Sequence, residues 1–134
     1  MGCSVTGVKP ALGILLYSGA IGIERLPFKP EGYNFWTWRG HKIHYVVQGE
    51  GHAVLLIHGF GASSFHWRSN IPELAKKYKV YAIDLLGFGW SEKALVEYDA
   101  MIWKDQVVDF LKEIVKEPTV LGSVLGFCRG RLQD

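Results

Sequence analysis

Apolar and polar positions change period several times along this chain, and the changes divide it into elements. From Tyr33 the period is two. Phe35 to Arg39, a Gly-first turn at Gly40-His41, and Lys42 to Gln48 read as an antiparallel hairpin with Ile43, Tyr45 and Val47 on one face. Gly49-Glu50-Gly51 closes it. The run Ala53-Val54-Leu55-Leu56-Ile57 is apolar throughout and bounded by Gly51 and Gly59, as expected of a strand buried on both faces at the centre of a sheet. The period then becomes helical, with Trp67, Ile71, Leu74, Ala75 and Tyr78 on one stripe. Pro72 must lie in a first turn or at a kink, because it has no N–H to donate. Lys79 to Asp84 reads as a second buried strand. A second helix is expected from about Asp99 to Lys116, with Ile102, Trp103, Val107, Phe110, Leu111, Ile114 and Val115 on its apolar face. Pro118 ends it, and Thr119-Val120-Leu121 opens another strand. Strand, helix and strand in alternation imply parallel pairs joined by crossovers, hence an α/β fold.

Composition narrows the partners. The 134 residues are 49% hydrophobic and 21% charged, which is globular, but the chain is short for a complete α/β enzyme domain of about 200–250 residues. The net charge of +2 comes from Lys and Arg interspersed with Asp and Glu, so no face is built for nucleic acid. The five Trp and six Tyr read as core and pocket wall rather than as a base-stacking platform. Cys3 and Cys128 form neither a disulfide framework nor a metal site by spacing, and no cofactor motif is present.

Residues 1–32 differ in character from the rest of the chain. The apolar run Ala11 to Ile23 holds about 13 residues, three of them glycine, against the ~20 needed to span a bilayer. It fits a signal-peptide core or part of a longer natural N-terminus. Met1-Gly2-Cys3-Ser4-Val5-Thr6 matches the myristoylation pattern at Gly2, with Cys3 beside it for a second acyl chain, which would place the protein on a membrane.

The candidate chemistry lies just after the strands. His58-Gly59-Phe60-Gly61 comes directly after the first buried strand, and Asp84-Leu85-Leu86-Gly87-Phe88-Gly89-Trp90-Ser91 after the next. In this order and spacing, Tyr33 to Leu121 resembles the N-terminal half of the α/β-hydrolase fold. The likeness is strongest to the subgroup with a His-Gly-Phe-Gly loop that includes plant plastid members and relatives of epoxide hydrolases and haloalkane dehalogenases. The resemblance implies an antiparallel hairpin followed by parallel strands with crossover helices. It also implies that intact relatives cleave small ester-like substrates without a cofactor, and that a chloroplast, or alternatively the cytoplasm or a membrane surface, is the location. Within it, the Phe60 amide would donate to an oxyanion, with His58, Gly59 and Gly61 shaping that loop. Asp84, Gly87 and Gly89 would shape the site without bonding to substrate. His58 reads as a brace for its loop, and Asp84 and Ser91 as structural.

The resemblance fails at the nucleophile. In intact relatives the nucleophile, Ser or Asp, sits on a strand-to-helix elbow, a serine lying within Gly-x-Ser-x-Gly. Here Gly122-Ser123-Val124-Leu125-Gly126-Phe127 gives Ser123 no glycine two positions later, and no other serine fits the pattern. The reading is therefore an N-terminal segment, poorly ordered or serving for targeting or anchoring (1–32), a partial hydrolase domain truncated at the nucleophile strand (33–122) and a divergent tail (123–134). Such a chain has no complete set of catalytic residues and no metal site. The strand at Thr119 would be left as an exposed sheet edge. Two other readings accompany it: a non-catalytic binding module, with or without a lipid anchor, and an enzyme using Ser123 in an unusual elbow.

Overall fold

The computed structural model describes residues 24–123 and the backbone of 126–130. Six strands form one sheet: β1 (Asn34–Trp38), β2 (His41–Gln48), β3 (Ala53–Ile57), β4 (Lys79–Ile83), β5 (Thr119–Ser123) and β6 (Gly126–Gly130), in the order β1-β2-β4-β3-β5-β6. The centre, β4-β3-β5, is parallel, and the flanks are antiparallel. As the apolar run required, β3 lies in the middle, with Ala53 opposite Lys79 on one side and Thr119 on the other.

Strand alternation sorts the side chains into two cores. Ala53, Leu55, Tyr81, Ile83, Ile43, Trp36 and Trp38 face one way, while Val54, Leu56, Val80, Ala82 and Val46 face the other. The first face is covered by α2 (Ala100–Phe110) and the π-helical turn that continues it (Leu111–Val115), through Phe110, Leu111 and Val115. The second is covered by Trp67, Ile71 and Leu74. A fully buried Leu or Ile contributes roughly 1.5–3 kcal/mol, so these two layers dominate the stability.

Helix α2 starts and stops by local chemistry. The Asp99 carboxylate accepts from the Ile102 N–H at 2.9 Å, capping the first turn. Lys116, with φ of 62°, turns the chain out at the far end. Its apolar stripe is the expected one.

The structure departs from the sequence reading at four places. The hairpin turn is Arg39-Gly40 and not Gly40-His41: both residues have positive φ, 49° and 78°, and His41 pairs with Trp38. Two consecutive left-handed residues give the turn whose twist matches the flanking strands, with glycine at the second position. The first helical stretch is broken into a 3₁₀ turn (Ser64–Trp67) and the short helix α1 (Ile71–Leu74), because Pro72 can only begin a helix there. The stripe of Trp67, Ile71 and Leu74 is nevertheless buried as its spacing required.

The remaining two differences concern the chain's flanks. Strand β5 is not an edge: β6 pairs with it antiparallel from Ser123 opposite Gly126 to Thr119 opposite Gly130. The open N–H and C=O groups of β5 take the nearest backbone available, which the chain supplies two residues further on. Part of the N-terminal segment is also packed. Leu26 is buried and its N–H donates to the Arg68 carbonyl at 2.7 Å, and the Phe28 ring meets Phe65 and Trp90 at 5.7 Å each. Gly2, Cys3 and the apolar run Ala11 to Ile23 lie outside the described residues.

Candidate functional site

The loops after β3 and β4 meet over the carboxyl ends of these strands, the place where open α/β sheets bind ligands. In the β3 loop, the Ala62 N–H closes a turn onto the Gly59 carbonyl at 3.1 Å, with Gly61 at φ 79°. This turn lifts Phe60 into solvent at 89% exposure, and its amide makes no hydrogen bond among the described residues.

His58 is buried and ties the two loops together. Its Nε2 accepts from the Leu85 N–H at 3.0 Å, so the proton sits on Nδ1, which donates to the Gly59 carbonyl at 2.7 Å. Burial pushes the imidazole pKa down, against weaker upward pulls from the Gly59 carbonyl and the Asp84 charge. A neutral ring with both nitrogens engaged cannot act as a base toward substrate. It can hold the β3 loop at a fixed height.

Asp84 is the hub beneath the site. Its carboxylate accepts from His44 Nδ1–H at 2.9 Å, from the Trp90 N–H at 2.9 Å and from the Ser64 N–H. His44 Nε2 accepts from the Tyr33 N–H at 2.9 Å, which fixes the ring's tautomer. Ser91 Oγ donates to the Asp84 carbonyl at 2.7 Å and accepts from the His44 N–H at 2.9 Å. Gln106, fully buried on α2, donates to the same carbonyl at 3.2 Å and accepts from the Leu86 N–H at 2.9 Å. Burial alone would raise the Asp84 pKa, but the hydrogen bonds from His44, Ser64 and Trp90 outweigh it and hold the carboxyl below its ordinary value. Asp84 thus stays charged without facing solvent, since both it and His44 are wholly buried. Gly89, with φ of 56°, lies directly against this carboxylate, and any Cβ there would overlap it.

Above the hub lies a cavity of about 350 Å³ walled by Phe60, Phe88, Tyr98 and Trp103, with Leu86, Gly87, Lys93 and Ala94 completing it. Gly87 sits against the Tyr98 ring. Among the described residues, no group of three or more His, Cys, Asp or Glu side chains is placed to hold a metal.

The structure therefore brings His58, Gly59, Phe60 and Gly61 into one loop beside Asp84, Gly87 and Gly89. Ser123 stands at the end of β5 opposite both Ile57 and Gly126. Sequence reading overlooked His44 and Gln106. Gln106 had a signal: it occupies a helical spacing on the apolar face of α2, between Ile102 and Phe110. His44 had only the alternation that sets it on the face away from Ile43, Tyr45 and Val47.

A family model described as the alpha/beta hydrolase fold matches residues 52–130. The chain belongs to the α/β-hydrolase fold family. The match begins before β3 and runs through β6, so it reaches further than the sequence resemblance drawn to Leu121. Among curated α/β-hydrolase relatives, a soluble epoxide hydrolase from Corynebacterium sp. strain C12 is 43% identical over 60 residues, covering 45% of this chain and 21% of that protein. The chloroplastic pheophytinase of Arabidopsis thaliana is 28% identical, covering 63% and 25%. A solved structure of a meta-cleavage product hydrolase from Pseudomonas fluorescens superposes with a TM-score of 0.66 at 31% identity, covering 73% of this chain and 38% of that one. The chain spans less than a third of the length of the curated relatives it matches.

Proposed function

We propose that these 134 residues carry the oxyanion-loop side of a hydrolase site without its nucleophile, and that by themselves they do not hydrolyse esters. The observation that carries this reading is the course of the chain after β5. A nucleophile elbow needs a strand that turns sharply into a helix, presenting serine at the turn between two glycines. Here Ser123 ends a strand whose next element, β6, returns antiparallel beside it, and the glycine two positions on is missing. The Phe60 amide would supply one oxyanion donor; the second, from the residue after a nucleophile, has no counterpart. The pair His58 and Asp84 cannot substitute as base and acid, because their polar atoms are spent on the loops. A complete protein containing this region would act on a small ester-like substrate, as the family resemblance implies, or on an epoxide-like one, as the name of one relative suggests. The likeness to the chloroplastic pheophytinase supports a plastid location, and the Gly2-Cys3 start supports acylation and membrane attachment.

The test is turnover of short p-nitrophenyl esters by the purified chain, with Ser123→Ala as control. The expected rate equals that of the control. A Ser123-dependent rate would overturn the proposal and favour an active elbow of a new kind.

A further inference from the structure

Strand β1 is one edge of the sheet, and the hairpin determines which of its main-chain groups are turned outward. The two-residue turn Arg39-Gly40 makes Trp38 and His41 a mutually bonded pair, and bonded and non-bonded pairs alternate from there. Trp36 with Ile43 and Asn34 with Tyr45 are bonded; Thr37 with Lys42 and Phe35 with His44 are not. The far side of β2 agrees, since the Glu92 N–H donates to the Lys42 carbonyl at 2.8 Å and the Asp84 N–H to the His44 carbonyl at 2.9 Å. The N–H and C=O groups of Phe35 and Thr37 therefore point away from the sheet, and among the described residues no strand lies beyond them. Asn34–Trp38 has no proline, no charged side chain and an unbroken register, so nothing within the strand blunts this edge.

The two faces of the edge differ in chemistry. On the first face, Glu113 accepts from Trp36 Nε1–H at 3.1 Å and Asp109 from Trp38 Nε1–H at 2.7 Å. These donors are neutral, and among the described residues neither carboxylate has an ion-pair partner, so both negative charges stand uncompensated beside β1. On the second face Phe35 and Thr37 are exposed, and the Lys42 ammonium lies over the Phe35 ring at 4.1 Å. Charge of one sign is thus wanted on one face and apolar contact on the other, at the alternation of a strand.

We propose that β1 is a docking edge for an extended basic segment of another protein. The segment adds as an antiparallel strand, with Lys or Arg at alternate positions beside Asp109 and Glu113 and apolar side chains between them against Phe35 and Thr37. A second copy of this chain is the poorer occupant, because pairing β1 with β1 brings two sets of Asp109 and Glu113 together.

The probe is the fluorescein-labelled peptide Lys-Val-Lys-Val-Lys-Val-Lys, titrated with the full chain and followed by fluorescence anisotropy. Saturable binding at one peptide per chain is expected, weakening as salt is raised. In the antiparallel register the valines share a face with Phe35 and Thr37 and bond to their main chains. N-methylation of the valines should therefore abolish binding, while N-methylation of the lysines, whose N–H groups face solvent, should preserve it. Asp109→Asn combined with Glu113→Gln keeps an acceptor for each tryptophan and removes the charge; affinity should fall roughly tenfold. Circular dichroism and melting temperature verify that this variant folds. The proposal is overturned by non-saturable binding, by equal binding of a peptide with glutamate in place of lysine, by equal effects of the two methylation patterns, by unchanged affinity in the folded double variant, or by a dimer of the chain that excludes the peptide.

Discussion

Asp84 illustrates how much of a residue's setting comes from stretches of chain far from its own. Its place after a strand invites a triad role, and the order of family motifs argues against one. The residues that neutralise its burial were not legible, because they come from four separated stretches: His44, Ser64, Trp90 and, through its carbonyl, Gln106. Losing the carboxylate would orphan several donors at once, so Asp84→Ala is expected to cost roughly 3–5 kcal/mol in urea unfolding. The site also sets two pH windows. The folded-state pKa of His58 is depressed, so the unfolded chain takes up that proton first; the stability it contributes is full above about pH 6.5 and is lost as pH falls through the lower, folded value. For Asp84, also depressed, the contribution is full above about pH 4 and is lost below it. Unfolding free energy measured from pH 8 to pH 3 should fall in two stages, and His58→Gln should flatten the upper stage while leaving the lower one.

At the scale of elements, the parts governed by neighbouring residues were legible and the parts governed by distant ones were not. The apolar period of α2 is local and stands where the sequence puts it, and the Asp99 cap seen in the structure is local too. Asp99→Ala should lower the melting stability by about 1 kcal/mol, and Asp99→Ser should restore most of it, since serine caps nearly as well. The hairpin turn slipped by one residue because Arg39 is a poor advertisement for a left-handed position. Its conformation is supported from outside the turn, by the guanidinium stacked 4.6 Å over the Trp38 ring and reaching Asp105 at 3.5 Å. The helical stripe of Trp67, Ile71 and Leu74 identified which side chains are buried while missing the break between them, as a 3₁₀ turn and a short helix can present the same face.

For the whole molecule, the central place of β3 could be read from its apolar run, while the place of the hairpin beside β4 and the cover on β5 could not. Strand β6 is weakly patterned, and its position depends on pairing rather than on composition. Deleting residues 126–134 should leave β5 open along its length, and size-exclusion chromatography is expected to show higher-mass species that the full chain does not form. The order β2-β4-β3 also carries a consequence for how the protein is made. Strands β2 and β3 are consecutive in the chain but are held apart by β4, which must enter between them. A ribosome delivers β1, β2 and β3 well before Lys79–Ile83, and Thr119–Ser123 later still. During that interval the β1–β2 hairpin can form alone, while the inner edges of β2 and β3 wait for a strand not yet synthesised. The nascent chain therefore spends its synthesis with two apolar edges open, and a chaperone that shields extended hydrophobic segments would engage it there and release it once β4 has slotted in.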